Sequence, residues 1–287
     1  MNGAGDQLLA GLIGAGIQRS LTPALQEEEA RQHGLRLHYQ RIDLDATPGA
    51  VAQLPALLIA ARIMGFAGLN ITYPCKQAVL PLLDELAPEA RAIGAVNTVV
   101  VRAGRLVGHN TDGSGWAWGF RRALPDADLG CVVLLGAGGA GSAIADALLR
   151  MGTERLRIVD ADPARAQALA ARHGNGTTTT RAEAEPDIAR ALDGATGLVH
   201  ATPTGMARWP GMALPAALLR PSLWLSEVVY VPIETELLKA ARAIGCRTVD
   251  GGLMAVGQAI GAFELFTGRR ADAARMERHF RQLLAAE

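Results

Sequence analysis

The stretch Cys131-Val-Val-Leu-Leu135-Gly136-Ala137-Gly138-Gly139-Ala140-Gly141 decides the fold. Five apolar residues in a row suit a strand buried on both faces. The glycines permit a tight turn, and the small-residue run from Ala140 to Leu149 opens a helix directly behind it. A second apolar run, Leu156-Arg-Ile-Val159, ends on Asp160, 24 residues past Gly136. A strand, glycine turn and helix start present backbone N–H groups to a pyrophosphate, and an acid about 20 residues on accepts hydrogen bonds from an adenosine ribose 2′-hydroxyl. A carboxylate there repels a 2′-phosphate, so Asp160 points to NAD over NADP. A glycine-rich turn alone is compatible with a purely structural bend; the two flanking strands and the helix give the dinucleotide reading its weight.

The chain has 287 residues, enough for two domains of ordinary size. Apolar residues make up 49% and charged residues 20%, which excludes a disordered chain. A formal net charge of zero provides no field to recruit nucleic acid or an anionic membrane, and 4% aromatics leaves few stacking platforms for single strands. Cys75, Cys131 and Cys246 are far apart and lack metal or disulfide spacing, so no metal site is expected. No apolar run has transmembrane length, and the N-terminus lacks the pattern of a signal peptide. The expectation is a cytoplasmic protein that acts on a small molecule and binds neither nucleic acid nor membrane.

Outside the glycine turn the pattern is mixed α/β. Strands are expected at 8–14, 37–44, 68–72, 96–101 and 105–107, with helices beginning near Ser20-Leu-Thr22-Pro23, over 51–64 and 76–83, and at Pro88. From residue 131 strands and helices alternate: strands at 131–135, 156–159, 196–200 and 223–228, helices at 140–150, 163–173 and 187–192. A helix from 232 to 244, a last strand and turn over 248–252, and two helices at 254–267 and 271–286 follow. Gly174-Asn-Gly176 and the four threonines after it read as a turn or edge strand. The expected domains are 1–115 for substrate and catalysis, 116–252 for the dinucleotide, and 253–287 as C-terminal helices packing back toward the first.

Lys76 follows a proline at a strand-to-helix junction, where a side chain can be aimed into a cleft; the residues alone equally allow an exposed helix lysine. Asp112 lies in the loop Asn110-Thr-Asp112-Gly. Brought together, the two form a lysine–carboxylate pair able to exchange a proton with an alcohol while hydride moves to a nicotinamide.

The chain resembles the shikimate dehydrogenase family along nearly its whole length. The motifs that carry the resemblance are Ser20-Leu-Thr-Pro23, Asn70-Ile-Thr-Tyr-Pro-Cys-Lys76, Gly94-Ala-Val-Asn97-Thr, Asn110-Thr-Asp112-Gly, Gly136-Ala-Gly-Gly-Ala140, Ala201-Thr-Pro-Thr-Gly205-Met206, Tyr230 with Pro232, and Gly252-Leu-Met-Ala-Val-Gly-Gln258. The resemblance implies an α/β fold with an N-terminal mixed α/β substrate domain, a Rossmann-type doubly wound nucleotide domain and a C-terminal helix returning to the first. It implies reversible oxidation of a ring hydroxyl of a polyhydroxy cyclic carboxylate to a ketone, in a monomer or homodimer. Lys76 and Asp112 would be the catalytic pair. Ser20 and Thr22 would hold the substrate carboxylate, and Thr72, Asn97 and Gln258 the ring hydroxyls. Cofactor contacts would fall at Gly136, Ala137, Gly138, Gly139, Ala140, Asp160, Arg165, Thr202, Pro203, Met206, Val228, Tyr230 and Gly252. On the residues alone, Ser20 and Thr22 also fit helix caps, and Gln258 a solvated helix face.

Three departures from the common family pattern matter. Thr22 stands where biosynthetic members have a second serine, which resembles the branch that also accepts quinate. Asp160-Ala161-Asp162 replaces the Asn-Arg-Thr typical of NADP users, and Arg165 suits the adenine side or a pairing with an acid. Glu227 stands for the usual aspartate and His200 for a common asparagine; His200 reads as a structural or cofactor-neighbouring residue. The expectation is an NAD-dependent quinate/shikimate dehydrogenase, with an NADP-dependent biosynthetic shikimate dehydrogenase and a non-catalytic dinucleotide sensor as alternatives.

Overall fold

The computed structural model describes residues 7–46, 49–174 and 181–286, so residues 175–180 of the expected glycine–threonine turn lie outside the described residues. The chain divides into two compact units: Met1–Thr111 with Val256–Glu287, and Asp112–Ala255. The breaks fall a few residues from 115/116 and 252/253, the first at the start of a helix.

The first unit contains β1 (Gln7–Gly14), α1 (Thr22–Gln32), β2 (Arg36–Asp43), α2 (Leu54–Ile63), β3 (Gly68–Ile71), α3 (Cys75–Ala78), β4 (Glu85–Leu86), α4 (Pro88–Ile93), β5 (Thr98–Arg102) and β6 (Arg105–His109). They build a mixed sheet in the order β2-β1-β3-β5-β6-β4. β1 runs parallel to β2 and β3, while β3, β5 and β6 pair antiparallel. Two expected helices are shorter than their apolar pattern suggests. The 51–64 segment opens as a 3-10 turn at Ala50–Gln53, and α2 starts at Leu54 with Pro55 in its first turn. The 76–83 segment breaks after Ala78, because Pro81 in the following 3-10 turn Leu80–Leu82 has no N–H to continue an α-helix.

The second unit contains α5 (Asp112–Ala123), β7 (Cys131–Leu135), α6 (Gly139–Arg150), β8 (Arg155–Val159), α7 (Pro163–Gly174), β9 (Arg181–Ala184), α8 (Ile188–Leu192), β10 (Gly197–His200), β11 (Trp224–Glu227), α9 (Glu236–Ala243) and β12 (Thr248–Val249). Its sheet is wholly parallel, in the order β12-β11-β10-β7-β8-β9. That is the doubly wound order, with strand order reversing between β7 and β10. α10 (Gly251–Thr267) gives its first residues to this unit and the rest to the first, where α11 (Ala273–Ala285) ends the chain. No helix among the described residues is long and apolar enough to cross a membrane.

Alternation along β7 sorts the core of the second unit onto two faces. Val132 and Leu134 pack with Phe120, Ile144 and Leu148, whereas Val133 and Leu135 pack with Leu192, Leu225 and Leu238. In the first unit Ile13, Leu69 and Ile71 meet Leu54 and Leu58, while Ala10, Leu12 and Val100 meet Ala262 and Phe266 of α10.

The C-terminal helix returns to the first unit through an ion pair. Glu29 of α1, with only 1% of its side chain exposed, accepts from Arg275 Nη2 at 2.6 Å and Nε at 2.8 Å, and from the Asp272 N–H at 2.8 Å. Burial opposes the charged form, but the Arg275 fork and the Asp272 N–H outweigh it and hold Glu29 below its ordinary carboxylate value. A lowered folded value stabilises the fold above the unfolded carboxylate range, and that stability disappears as pH falls through the folded value. Glu29→Gln is therefore expected to lower unfolding free energy by about 3 kcal/mol at neutral pH. The deficit should shrink in acid. Urea melts at pH 7 and in the acid range test this, and a variant as stable as the parent at pH 7 would contradict the role given to the pair.

Candidate active site

At the end of β7 two glycines are obligatory. Gly136 has φ 110°, and a Cβ there would lie 2.7 Å from the Ala201 carbonyl oxygen; a Cβ on Gly141 would lie 1.9 Å from the Gly136 oxygen. α6 can therefore begin directly against the strand end. Its first N–H groups have no partner inside the helix, and Gly138 at the cap brings no side chain to satisfy them. Gly138, Gly139 and Ala140 are half-buried, while Gly136 and Ala137 are buried. Asp160, at the end of β8, accepts the Ala137 N–H at 2.6 Å and the Asp162 N–H at 2.9 Å. An uncapped helix start beside an anchored carboxylate fits a dinucleotide pyrophosphate and an unphosphorylated ribose diol. Arg165 pairs with Asp162 at 3.4 Å.

The remaining expected cofactor contacts follow the next strands of the same sheet. Thr202, Pro203 and Met206 come after β10, Val228 and Tyr230 after β11, and Gly252 lies in the first turn of α10, its N–H donating to Asp250 Oδ1 at 2.9 Å. The Thr202 methyl packs beside Gly136, 3.0 Å from where a Cβ would stand. Its hydroxyl lies 2.5 Å from Nε2 of the buried His200, whose Nδ1 is 2.8 Å from Glu227 Oε1.

The first unit gathers the expected substrate residues. The Ser20 hydroxyl donates to the Thr22 hydroxyl at 3.2 Å, and the Thr22 N–H donates to Ser20 Oγ at 3.3 Å. The residue at the cap position of α1 is Leu21, which makes no side-chain cap. Thr72 follows β3 with its methyl against Gly14 at the end of β1. Lys76 lies on α3, and its carbonyl accepts the Val96 N–H at 2.9 Å, tying the helix to the segment that carries Asn97. The Asn97 amide donates to Thr111 Oγ1 at 2.9 Å and accepts from the Thr111 N–H at 2.8 Å. Thr111 donates in turn to the Gln258 carbonyl at 3.1 Å. Asp112, next in the chain, is buried in the first turn of α5, so Lys76 belongs to the first unit and Asp112 to the second.

Five residues of this network carry no role in the sequence reading, although Asn70, Thr98 and Thr111 lie inside its motifs. Gln26 is fully buried one turn beyond Thr22 and donates to the Ala259 carbonyl at 2.9 Å, joining α1 to α10 beside Gln258. Tyr39 donates to Asn70 Oδ1 at 2.6 Å, and the Asn70 amide donates to Thr98 Oγ1 at 3.0 Å, which continues to Asn97. Thr111 is the fifth. Gln26, followed by three glutamates, and Tyr39, among alternating polar residues, carry no local signal of their role.

The profile of the Shikimate dehydrogenase substrate binding domain matches residues 12–99, and that of the Shikimate 5'-dehydrogenase C-terminal domain matches residues 254–279. The chain is 58% identical to a Streptomyces avermitilis shikimate dehydrogenase (NADP(+)), over 94% of each chain. It is 49% identical to a quinate/shikimate dehydrogenase (NAD(+)) of Corynebacterium efficiens, covering 97% of this chain and 99% of the relative. Among solved structures, quinate dehydrogenase from Corynebacterium glutamicum in complex with NAD superposes with a TM-score of 0.87 at 48% identity, covering 96% of this chain and 99% of that one. Identity at this level, over essentially the full length, makes the chain a member of the shikimate dehydrogenase family.

Proposed function

We propose that this chain is an NAD-dependent quinate/shikimate dehydrogenase that reversibly oxidises a ring hydroxyl of quinate or shikimate to the 3-dehydro ketone. The observation that carries the reading is Asp160, fixed by two backbone N–H groups at the mouth of the glycine turn. Its relatives include users of NADP and users of NAD, so the residues of this chain choose between them. Asp160 and Asp162 stand where a 2′-phosphate would need cations, Ala161 offers none, and Arg165 is paired with Asp162.

NAD, when bound, accepts the hydride. The glycine turn and α6 hold its pyrophosphate, and Asp160 holds the ribose diol. The residues after β10 and β11, Thr202, Pro203, Met206, Val228 and Tyr230, together with Gly252, line the cofactor's other end. In the first unit the paired hydroxyls of Ser20 and Thr22 grip the substrate carboxylate. Thr72, Asn97 and Gln258 orient the ring hydroxyls. The Lys76 amine takes the proton of the reacting hydroxyl, and its ammonium returns it in the reverse direction. Asp112, in the first turn of α5, is the second member of the proposed catalytic pair. Cys75, Cys131 and Cys246 are unpaired thiols, which suits the reducing cytoplasm, where the protein would work as a monomer or homodimer.

Turnover with both acids and both cofactors tests this function. Higher kcat/KM with NADP than with NAD would favour the biosynthetic alternative, and no turnover with any pair would favour a dinucleotide sensor. Replacing Asp160→Ala together with Ala161→Arg is expected to shift the kcat/KM ratio toward NADP by at least roughly tenfold, the equivalent of about 1.4 kcal/mol. Lys76→Ala should lower kcat by about 10²–10⁴-fold with NADH affinity nearly unchanged; a folded variant with parental kcat would contradict the assignment. Thr22→Ser should change the quinate-to-shikimate ratio of kcat/KM without altering cofactor preference. Because one methyl is worth only about 1–3 kcal/mol, both acids are expected to be substrates of the parent.

A further inference from the structure

A densely bonded buried carboxylate outside the proposed chemistry is Glu227, 1% exposed at the end of β11. Its Oε1 accepts the Val228 N–H at 2.8 Å and the Val229 N–H at 3.0 Å, and its Oε2 accepts the Thr235 hydroxyl at 2.9 Å. Thr235 donates in that direction because a carboxylate only accepts, while its oxygen takes the Leu238 N–H at the start of α9. Directly opposite Glu227 in the parallel pairing of β10 and β11 stands His200, also 1% exposed. With Glu227 receiving at both oxygens, its bond to His200 Nδ1 assigns the ring proton to Nδ1. In the neutral ring Nε2 is then the acceptor, and the hydroxyl it accepts, 2.5 Å away, is that of Thr202. With its proton directed to Nε2 and one lone pair taking the Thr204 N–H at 3.3 Å, Thr202 Oγ1 keeps one further acceptor position.

Two loops at the carboxyl ends of adjacent parallel strands thus depend on one carboxylate. The loop after β11 is held directly, through Val228 and Val229. The loop after β10 is held through the imidazole, and the Thr202 it fixes lies against Gly136 of the glycine turn. The carboxyl ends of the strands of a doubly wound sheet are where a dinucleotide lies. We infer that Glu227 and His200 are positioning residues for the nicotinamide half of the cofactor: they lock Thr202 and the Val228–Val229 backbone into one rigid wall and leave Thr202 facing the ligand as an acceptor. Neither residue touches the reacting atoms. The inference rests on the dinucleotide reading above and adds to it a specific device of this chain, a carboxylate–imidazole–hydroxyl relay.

NADH and AMP binding, measured by calorimetry on the full chain, separate the possibilities. AMP reports only the adenylate half held by Asp160. Thr202→Val removes the hydroxyl and keeps the shape, and is expected to weaken NADH about tenfold while AMP affinity is unchanged. Thr202→Ser, which keeps the hydroxyl, should bind NADH at least fivefold more tightly than Thr202→Val. His200→Leu should weaken NADH by at least as much as Thr202→Val, and the double variant no further, because both changes cut one chain of bonds. Parental NADH affinity in Thr202→Val, equal losses for AMP and NADH, or losses that multiply in the double variant would each overturn the relay. Failure of the parent itself to bind NADH would instead overturn the dinucleotide reading, and the relay with it.

Discussion

Everything in the second unit depends on how closely two backbone segments approach at the end of β7. The Gly136 carbonyl sits where any side chain on Gly141 would have to be, and the Ala201 carbonyl sits where any side chain on Gly136 would have to be. Because both positions are bare, the first turn of α6 meets β7 and β10 at backbone distance. That contact aims the helix N–H groups at the mouth of the sheet, sets Ala137 where its N–H anchors Asp160, and brings Thr202 against the turn. A methyl group at either glycine would push these three features apart together.

In the first unit the corresponding constraint is polar. Tyr39, Asn70, Thr98, Asn97 and Thr111 form a continuous buried run of hydrogen bonds that crosses the sheet and ends on the Gln258 carbonyl. Buried polar groups are costly unless satisfied, so such a run tolerates few alternative arrangements and specifies one packing of α10 on the sheet. Gln26 fixes the same helix from the α1 side. The candidate substrate residues are thereby attached to a framework more rigid than loop residues ordinarily have.

Local features were the legible ones. The glycine turn and Asp160 are read within one strand–helix–strand stretch, and the family motifs are short words of the same kind. The sequence pattern does not reveal α5, because Gly113, Gly115 and Gly119 lower helix propensity. In the fold two of them are contacts: Gly113 lies against the Ala143 carbonyl and Gly119 against Leu253. Helix ends at 51–64 and 76–83 were blurred by apolar pattern that runs through Pro55 and Pro81. The short strands β4 and β9 have too few residues for any period to emerge. Glu227 and His200 stood out as unusual residues, but their relation needs the pairing of β10 with β11, which brings together positions 27 residues apart in the chain. Long-range register of that kind leaves no trace in local spacing.

The path of the chain has a further consequence for how the protein comes into being. The first unit is assembled from both termini, with residues 112–255 inserted between them. On a translating ribosome the inserted unit has its entire parallel sheet available once residue 249 has emerged. The first unit must wait for Ala262, Phe263 and Phe266, and then for Arg275, before its sheet and Glu29 are covered. Domains generally fold as units during synthesis, and exposed apolar surface invites aggregation. Residues 7–111 thus emerge before the inserted unit but are covered only after it, and until then their apolar faces must stay soluble.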